Sequence, residues 1–298
     1  MSNNCEWIRK TLAHEAGVPT PFNFDFSPVA RAAVERPTNK LDRGVPIGPS
    51  LPEPSLEHFV FPDPAAGYRY AEIGAWCKRH EGCFRVIWVG DLWERAAFMR
   101  GMEALLTDVL LEPRFVQALL RALADYILET MQILFDRFEF EAVAVSDDYG
   151  TQRSLVMSPE IWRTLIKPLL AEIYDFAKAN QRVVFHHSCG NIESIVGHVI
   201  DIGLDILHPI QPEANDIFKL KREFGRDLTF CGGLGTQGFL PHASAPEVRE
   251  AIRRLVEQLG KGGGYILEPG ITLQADVPIE NLVAMIDEAR SCSFEGGV

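Results

Sequence analysis

The sequence has few of the features that mark secreted or membrane proteins. Its six cysteines are widely scattered, and the residues after Met1 are polar, so neither a disulfide framework nor a signal peptide is predicted. Its apolar runs are strand-sized and far short of the roughly 20 residues that a membrane-spanning helix needs. We therefore expect a protein of the reducing cytoplasm that does not span a bilayer.

Basic residues are scarce as well. The chain has 29 Lys and Arg against 41 Asp and Glu, for a net charge of -12. A nucleic-acid backbone or an anionic membrane would be repelled over most of such a surface. Internal repeats and low-complexity tracts are also missing from the sequence. The expected partners are therefore small molecules or other proteins.

Apolar residues are abundant and follow a βα rhythm. A hydrophobic content of 47% in 298 residues is enough for one large core. Short runs rich in Val, Ile and Phe alternate with longer segments whose apolar residues recur every three or four positions. We predict seven strands and a weaker eighth near residues 70–76. The seven strands are residues 22–26, 84–89, 142–147, 182–187, 205–210, 228–232 and 265–268.

The helices between the strands carry recognisable start signals. Pro113 opens a long amphipathic helix, and Ser158 with Pro159 caps another. Further helices fit residues 191–202, 245–259 and 278–289. Strands that are apolar on both faces and alternate with helices predict a covered parallel sheet. Eight such strands in about 250 residues predict an α/β fold, a (β/α)8 TIM barrel.

The barrel is predicted to be one domain over residues 1–298, with an N-terminal helical extension. The Pro-rich stretch 45–64 is too short to separate two domains of useful size. We interpret it as a long surface loop, a common place for a lid.

Polar residues gather at the carboxyl ends of the predicted strands, where barrel enzymes carry their reactive groups. We expect these segments to face one mouth. They are residues 146–152, 186–191, 208–212, 231–237 and 268–274.

Several of these residues have more than one interpretation. His187 and Cys189, two positions apart, suit a zinc ion, or they are a hydrogen-bonded core histidine and a buried thiol. The pair Asp147 and Asp148 could hold a cation, act as acid or base, or cap the following segment. His208 fits a substrate hydrogen-bond donor or a structural histidine.

Taken together and in order, these segments resemble a known family. The order is DDYGTQ, MSPEIWRTLIKPLL, VVFHHSCGNI, DILHPIQPEAND, FCGGLGTQGFLP and GGGYILEPGITLQADVPIENL, preceded by PFNFDFSP, FPDP and GDLWERAAFMRGMEALLTDVLLEP. It resembles the uroporphyrinogen decarboxylase-like superfamily, particularly its methyltransferase branch. The resemblance implies a (β/α)8 barrel and one of two reactions: decarboxylation of a porphyrinogen without a cofactor, or methyl transfer to or from a corrinoid cobalt.

Two features favour methyl transfer. Uroporphyrinogen decarboxylases carry an arginine-rich, RQAGR-like segment near the amino terminus, whereas this chain has NFDFSPVARAAVERP there. A tetrapyrrole with eight carboxylates needs several bidentate arginine contacts. Conversely, the His187-x-Cys189-Gly190 element matches the zinc motif of the methyltransferases. The resemblance then implies that zinc activates a thiol or similar acceptor for a methyl group on cobalt, or that the transfer runs in reverse.

One position departs from the methyltransferase pattern. Methylcobalamin:coenzyme M methyltransferases have a further zinc-binding cysteine in a PGCG-like turn, but here the turn reads Pro269-Gly270-Ile271-Thr272. Glu268 or Cys231 could replace it, and we predict Glu268. A site without metal, in which the polar side chains form a substrate cage, is the alternative. A barrel that binds ligands but has lost catalysis is a further one.

The complete prediction is a corrinoid-dependent methyltransferase with zinc. Its partners are a small methyl donor or acceptor and a corrinoid carrier protein, and a homodimer is left open. The predicted site has catalytic Asp148 and His187; substrate-binding Gln152, His208, Gln211, Gln237 and Gln274; and metal ligands His187, Cys189 and Glu268.

Overall fold

The computed structural model describes residues 4–15, 50–271, 273 and 276–295. Six strands lie in these ranges: β1 (Val86–Asp91), β2 (Ala142–Ser146), β3 (Val183–His187), β4 (Ile206–Ile210), β5 (Thr229–Leu234) and β6 (Tyr265–Pro269). The helices are α1 (Asn4–Leu12), α2 (Ile73–Arg79), α3 (Trp93–Arg100), α4 (Met102–Leu111), α5 (Pro113–Arg137), α6 (Lys167–Ala179), α7 (Val196–Asp201), α8 (Ile217–Phe224), α9 (Ala245–Leu259) and α10 (Ile279–Glu295). Shorter turns are the 3-10 segments Gly67–Arg69 and Glu193–Ile195, the helical turn Pro159–Ile161 and the π-helical turn Trp162–Ile166.

The six strands pair in chain order, and every pair is parallel. Such pairing needs a crossover between neighbouring strands, and helices make these crossovers from β1 onward. The predicted start signals are confirmed: Pro113 begins α5, and the Ser158 side chain accepts a hydrogen bond from Ile161 N. The order is that of a TIM-type α/β barrel.

The sheet separates two hydrophobic cores. The larger lies between the sheet and the surrounding helices. The smaller takes side chains from all six strands, which meet because the sheet curls around them. Ile8 of α1 joins this inner core, and Gly264 N, just before β6, donates to Thr11 O at 3.1 Å. Helix α1 therefore packs at the amino-terminal ends of the strands, opposite the predicted mouth. The inner core contains Ile8, Val86, Trp88, Ala142, Ala144, Phe185, Ile206, Cys231 and Ile266.

One predicted strand is wrong, and another cannot be compared. Residues 70–76 were predicted as a weak strand, but Ile73–Arg79 form α2. Ile73, Trp76 and Cys77 are buried, and their spacing of three and four places them on one helical face. The predicted strand 22–26 lies outside the described residues. In the loop predicted at 45–64, residues 50–64 are described and contain no helix or strand.

None of the described helices combines the length and the apolar composition needed to cross a bilayer.

Candidate metal centre

The loops that follow β2 and β3 are joined through their backbones. Gly150 N donates to Cys189 O at 3.2 Å, and Asn191 N donates to Thr151 O at 2.7 Å. A Cβ atom on Gly150 would lie 2.6 Å from Cys189 O, so this close approach requires glycine. The pairing brings the Asp148 loop against the Cys189 loop.

Three side chains meet where these loops join. Asp148, His187 and Cys189 each offer one ligand atom, and the three atoms lie within 4.8 Å of one another. His187 Nε2 is 3.4 Å from Asp148 Oδ1 and 3.4 Å from Cys189 Sγ. Cys189 N donates to Asp148 Oδ1 at 2.7 Å, which fixes the carboxylate in place. We call these residues the first donor set.

The spacing of the first donor set fits a tetrahedral zinc ion. Zinc bonds of about 2.3 Å to sulfur and about 2.0 to 2.1 Å to nitrogen or oxygen place neighbouring ligand atoms about 3.3 to 3.6 Å apart. The two distances of 3.4 Å from His187 Nε2 fall within that range. The side chains of Asp148 and His187 are 41% and 19% exposed, which leaves a fourth position open to the mouth. Imidazole, thiolate and carboxylate are also ligand types that zinc accepts.

A second group of side chains lies next to the first. His208, Cys231 and Glu268 also bring their ligand atoms within 4.8 Å of one another. Strand alternation places His208 and Glu268 on the inner side, two residues beyond Ile206 and Ile266 of the inner core. We call these residues the second donor set.

One hydrogen bond links the two sets: His187 Nδ1 and His208 Nδ1 are 2.9 Å apart. Beyond it, His208 Nε2 lies 3.6 Å from Glu268 Oε2. The structure therefore brings together five predicted site residues, Asp148, His187, Cys189, His208 and Glu268. It does not group Glu268 with His187 and Cys189 as the predicted ligand set requires. Asp148 takes that place beside His187 and Cys189.

The protonation of the first donor set suits a cation. Burial alone would raise the pKa of Asp148, but its contacts with His187 and the backbone N–H of Cys189 outweigh burial and lower that pKa. Burial, and then the nearby charge of Asp148, raises the pKa of the Cys189 thiol to about 12. Without a cation the thiol therefore keeps its proton. A bound metal ion is the kind of group that removes it.

Glu94 is a site residue that the sequence interpretation missed. It lies in the first turn of α3, and its Oε2 accepts a hydrogen bond from Ser146 Oγ at 2.8 Å. Burial, followed by the charge of Asp148, raises its pKa. The sequence contains a signal for Glu94, because it follows the carboxyl end of a strand, as Asp148 does. Glu94 adds a proton-holding carboxyl beside the first donor set.

Two strand-end residues predicted to face the mouth do not belong to either donor set. Asp147 accepts hydrogen bonds from Leu92 N at 3.0 Å and from Glu94 N at 2.9 Å, so it caps the start of α3. His186 is buried, and its Nδ1 is 2.7 Å from the Tyr174 hydroxyl. Burial lowers the pKa of His186 to about 3, so the ring is neutral. Asp147 thus connects the end of β2 to α3, and His186 connects β3 to α6.

The predicted substrate amides are spread over different environments. Gln211 is buried, and its side-chain oxygen accepts from Gly190 N at 3.1 Å, so it holds the loop that carries Cys189. Gln152 and Gln237 are exposed. Gln274 lies outside the described residues. A substrate-binding role for these four amides stays a prediction.

Comparison with known proteins agrees with this barrel. A methyltransferase from Methanosarcina mazei superposes with a TM-score of 0.55 at 17% identity, over 70% of this chain. The match spans 59% of the M. mazei chain, less than two thirds of it, and at this identity it shows the fold alone. A uroporphyrinogen decarboxylase from Psychromonas ingrahamii is 23% identical over 269 residues, which cover 83% of this chain and 72% of that protein. The family model for uroporphyrinogen decarboxylase (URO-D) matches residues 89–292, and the chain belongs to that family.

Proposed function

We propose that this protein is a corrinoid-dependent methyltransferase, which moves a methyl group between a small substrate and the cobalt of a corrinoid on a carrier protein. The observation that carries the proposal is the first donor set, because His187 Nε2 lies at zinc spacing from the ligand atoms of both Asp148 and Cys189, and the set has an open side toward the mouth. The M. mazei protein with the same fold is itself described as a methyltransferase.

Asp148, His187 and Cys189 would hold the zinc ion. Asp148 replaces the predicted Glu268, since Glu268 lies on the far side of His208. A zinc ion there would supply a Lewis acid that binds a substrate thiol and lowers its pKa. For a thiol acceptor, the site would release the thiol proton to solvent and direct the sulfur at the methyl carbon of the corrinoid, whose cobalt would keep the electron pair of the broken cobalt–carbon bond.

The residues around the zinc ligands orient the reacting groups. The backbone bond from Cys189 N to Asp148 holds the carboxylate, and the bond to His208 fixes the ring plane of His187. Glu94 keeps a proton more readily than an ordinary glutamate does, because burial and Asp148 raise its pKa. When the methyl group moves from a substrate to cobalt, Glu94 would give that proton to the leaving oxygen or nitrogen of the substrate.

Decarboxylation is the second candidate, since both the family model and the P. ingrahamii relative carry that name. The groups described at the mouth argue against it. Among the described carboxyl groups there, Asp148 has a lowered pKa and is ionised, so a substrate with several carboxylates would meet like charge beside it.

The test combines metal analysis with an anaerobic visible spectrum of methylcobalamin and a small thiol. The metal-replete protein should demethylate the corrinoid, while Asp148→Asn and Cys189→Ser should lose activity. Cys83→Ser, which changes an exposed cysteine, is the control. Full activity in Cys189→Ser would contradict the proposal. Release of CO2 from a porphyrinogen without demethylation of the corrinoid would favour decarboxylation.

A further inference from the structure

The second donor set comes from three successive strands, β4, β5 and β6, which each contribute one residue. Cys231 Sγ is 3.0 Å from Glu268 Oε2, and His208 Nε2 is 3.6 Å from the same oxygen. The three ligand atoms lie within 4.8 Å of one another. A borderline divalent metal ion accepts nitrogen, sulfur and oxygen donors. The 3.6 Å between His208 Nε2 and Glu268 Oε2 is the spacing of neighbouring zinc ligands, and the shorter contact is a hydrogen bond from the Cys231 thiol, whose proton a cation would replace.

The second donor set is also built into the barrel instead of lying on its surface. The side chains of His208 and Glu268 are only 8% and 14% exposed, and Cys231 is fully buried. Polar groups in such an interior are costly unless they are satisfied. Here the imidazole, the thiol and the carboxyl converge on one point, so a cation there would satisfy all three.

We propose that His208, Cys231 and Glu268 form a second site for Zn²⁺ or a similar ion, and that only one of the two sites is filled at a time. The second site rests on its own three residues. The claim that a filled second site keeps metal out of the first site also rests on the zinc site of the proposed function.

The exclusion follows from the contact between His187 and His208. An Nδ1 to Nδ1 distance of 2.9 Å is a hydrogen bond with one hydrogen, so one ring donates and the other accepts. A neutral ring that accepts at Nδ1 carries its hydrogen on Nε2, and that atom then has no lone pair for a metal. His187 and His208 both face their donor sets through Nε2. Metal at one site therefore leaves the other histidine in the form that cannot bind metal.

The experiment measures bound Co²⁺ and Zn²⁺ per chain after removal of free metal, together with the thiolate-to-cobalt absorption. The wild type, Cys189→Ser and Cys231→Ser should each bind one ion with a thiolate band. Cys189→Ser must use Cys231 for that band, and Cys231→Ser must use Cys189. The double variant should bind none. Glu268→Gln in the Cys189→Ser background should also bind none, which tests the second site without changing the buried thiol.

Each outcome has a distinct meaning. No ion in folded Cys189→Ser would overturn the second site and leave the proposed function in place. Two ions in the wild type would overturn the exclusion. One ion in Cys189→Ser but none in folded Cys231→Ser would overturn the first zinc site and keep the second. Far-ultraviolet circular dichroism of every variant establishes that it is folded.

Discussion

His187 and His208 share a hydrogen bond of 2.9 Å between their Nδ1 atoms, and this bond joins the two donor sets. Both rings lie against aromatic neighbours: Trp88 is 5.9 Å from His187, and Phe185 is 5.2 Å from His208, between ring centroids. Aromatic rings of the inner core and the hydrogen bond between the two histidines thus hold both imidazole rings in place. A ligand histidine held in this way is preorganised for metal.

His208→Phe tests this support. It removes the partner of His187 Nδ1 and leaves Asp148 and Cys189 unchanged. Loss of such a partner lowers metal affinity by about 10- to 100-fold, and we expect a decrease of that size in a Zn²⁺ competition titration. Cys231→Ser is the matched control, because it also lacks the second donor set but keeps the bond between the histidines. Equal affinity in the two variants would show that the bond does not matter.

Gly150→Ala should disrupt the junction that places Asp148 beside Cys189. The new Cβ would lie 2.6 Å from Cys189 O, Gly190 C and Asn191 N, which are backbone atoms that cannot move aside freely. We expect a loss of about 1 to 3 kcal/mol in the free energy of unfolding, with a loss of metal affinity. Urea denaturation and metal content measure the two effects.

Gly67→Ala is the control for the same substitution. No atom lies within 4 Å of the Cβ that alanine would add there, so we expect almost no change. Unaltered metal binding in Gly150→Ala would mean that the junction does not position the first donor set.

The sequence predicted the barrel well where strands are buried on both faces. The strand predicted at 142–147 matches β2 (Ala142–Ser146), and that at 265–268 matches β6 (Tyr265–Pro269), because continuous apolar runs between turns leave few alternatives. The error at 70–76 arose in a short segment, where apolar residues fit either period. There the spacing of Ile73, Trp76 and Cys77 gave a helix.

The sequence indicated which strand-end side chains lie near one another in the candidate site, and it did not indicate which of them pair. Positions at strand ends predicted Asp148, His187 and Glu268 as site residues. The sequence does not give the distance between side chains on β3 and β6. That distance depends on the curvature of the sheet and on the side chain between them. His208 occupies the intervening position on β4, so Glu268 pairs with His208 and Cys231. The role of Asp147 was likewise decided by the position of α3, which is a tertiary contact.

The prediction of one domain can be tested by calorimetry. Ile8 from α1 and Ile266 from β6 belong to the same inner core, so segments near both ends of the chain contribute to one packed cluster. We expect a single transition whose calorimetric and van't Hoff enthalpies agree. Ile8→Ala should lower its midpoint without splitting it, since the cavity would destabilise the whole core. Two transitions, or a protease-stable fragment ending near residue 64, would contradict one domain.

Glu268 should make the stability of the metal-free protein depend on pH. Burial raises its pKa from 4.5 to about 7. Below about pH 4.5 the carboxyl is protonated in both the folded and the unfolded chain and carries no penalty. Between about pH 4.5 and pH 7 the unfolded chain releases the proton while the folded chain keeps it, so the folded state loses its advantage as the pH rises.

Glu268→Gln removes this dependence because glutamine does not titrate. Relative to the variant, the wild type should lose about 3 kcal/mol in its free energy of unfolding between about pH 4.5 and pH 8. The reason is that folding raises the pKa of Glu268 from 4.5 to about 7, and each pH unit between these values costs about 1.36 kcal/mol. Urea denaturation in the presence of a chelator measures the difference across this range. Glu57→Gln, which changes an exposed glutamate, controls for the substitution itself. Parallel profiles for the wild type and Glu268→Gln would mean that Glu268 has the same pKa in the folded protein as in the unfolded chain. It would then not be held in the closed interior that the second donor set requires.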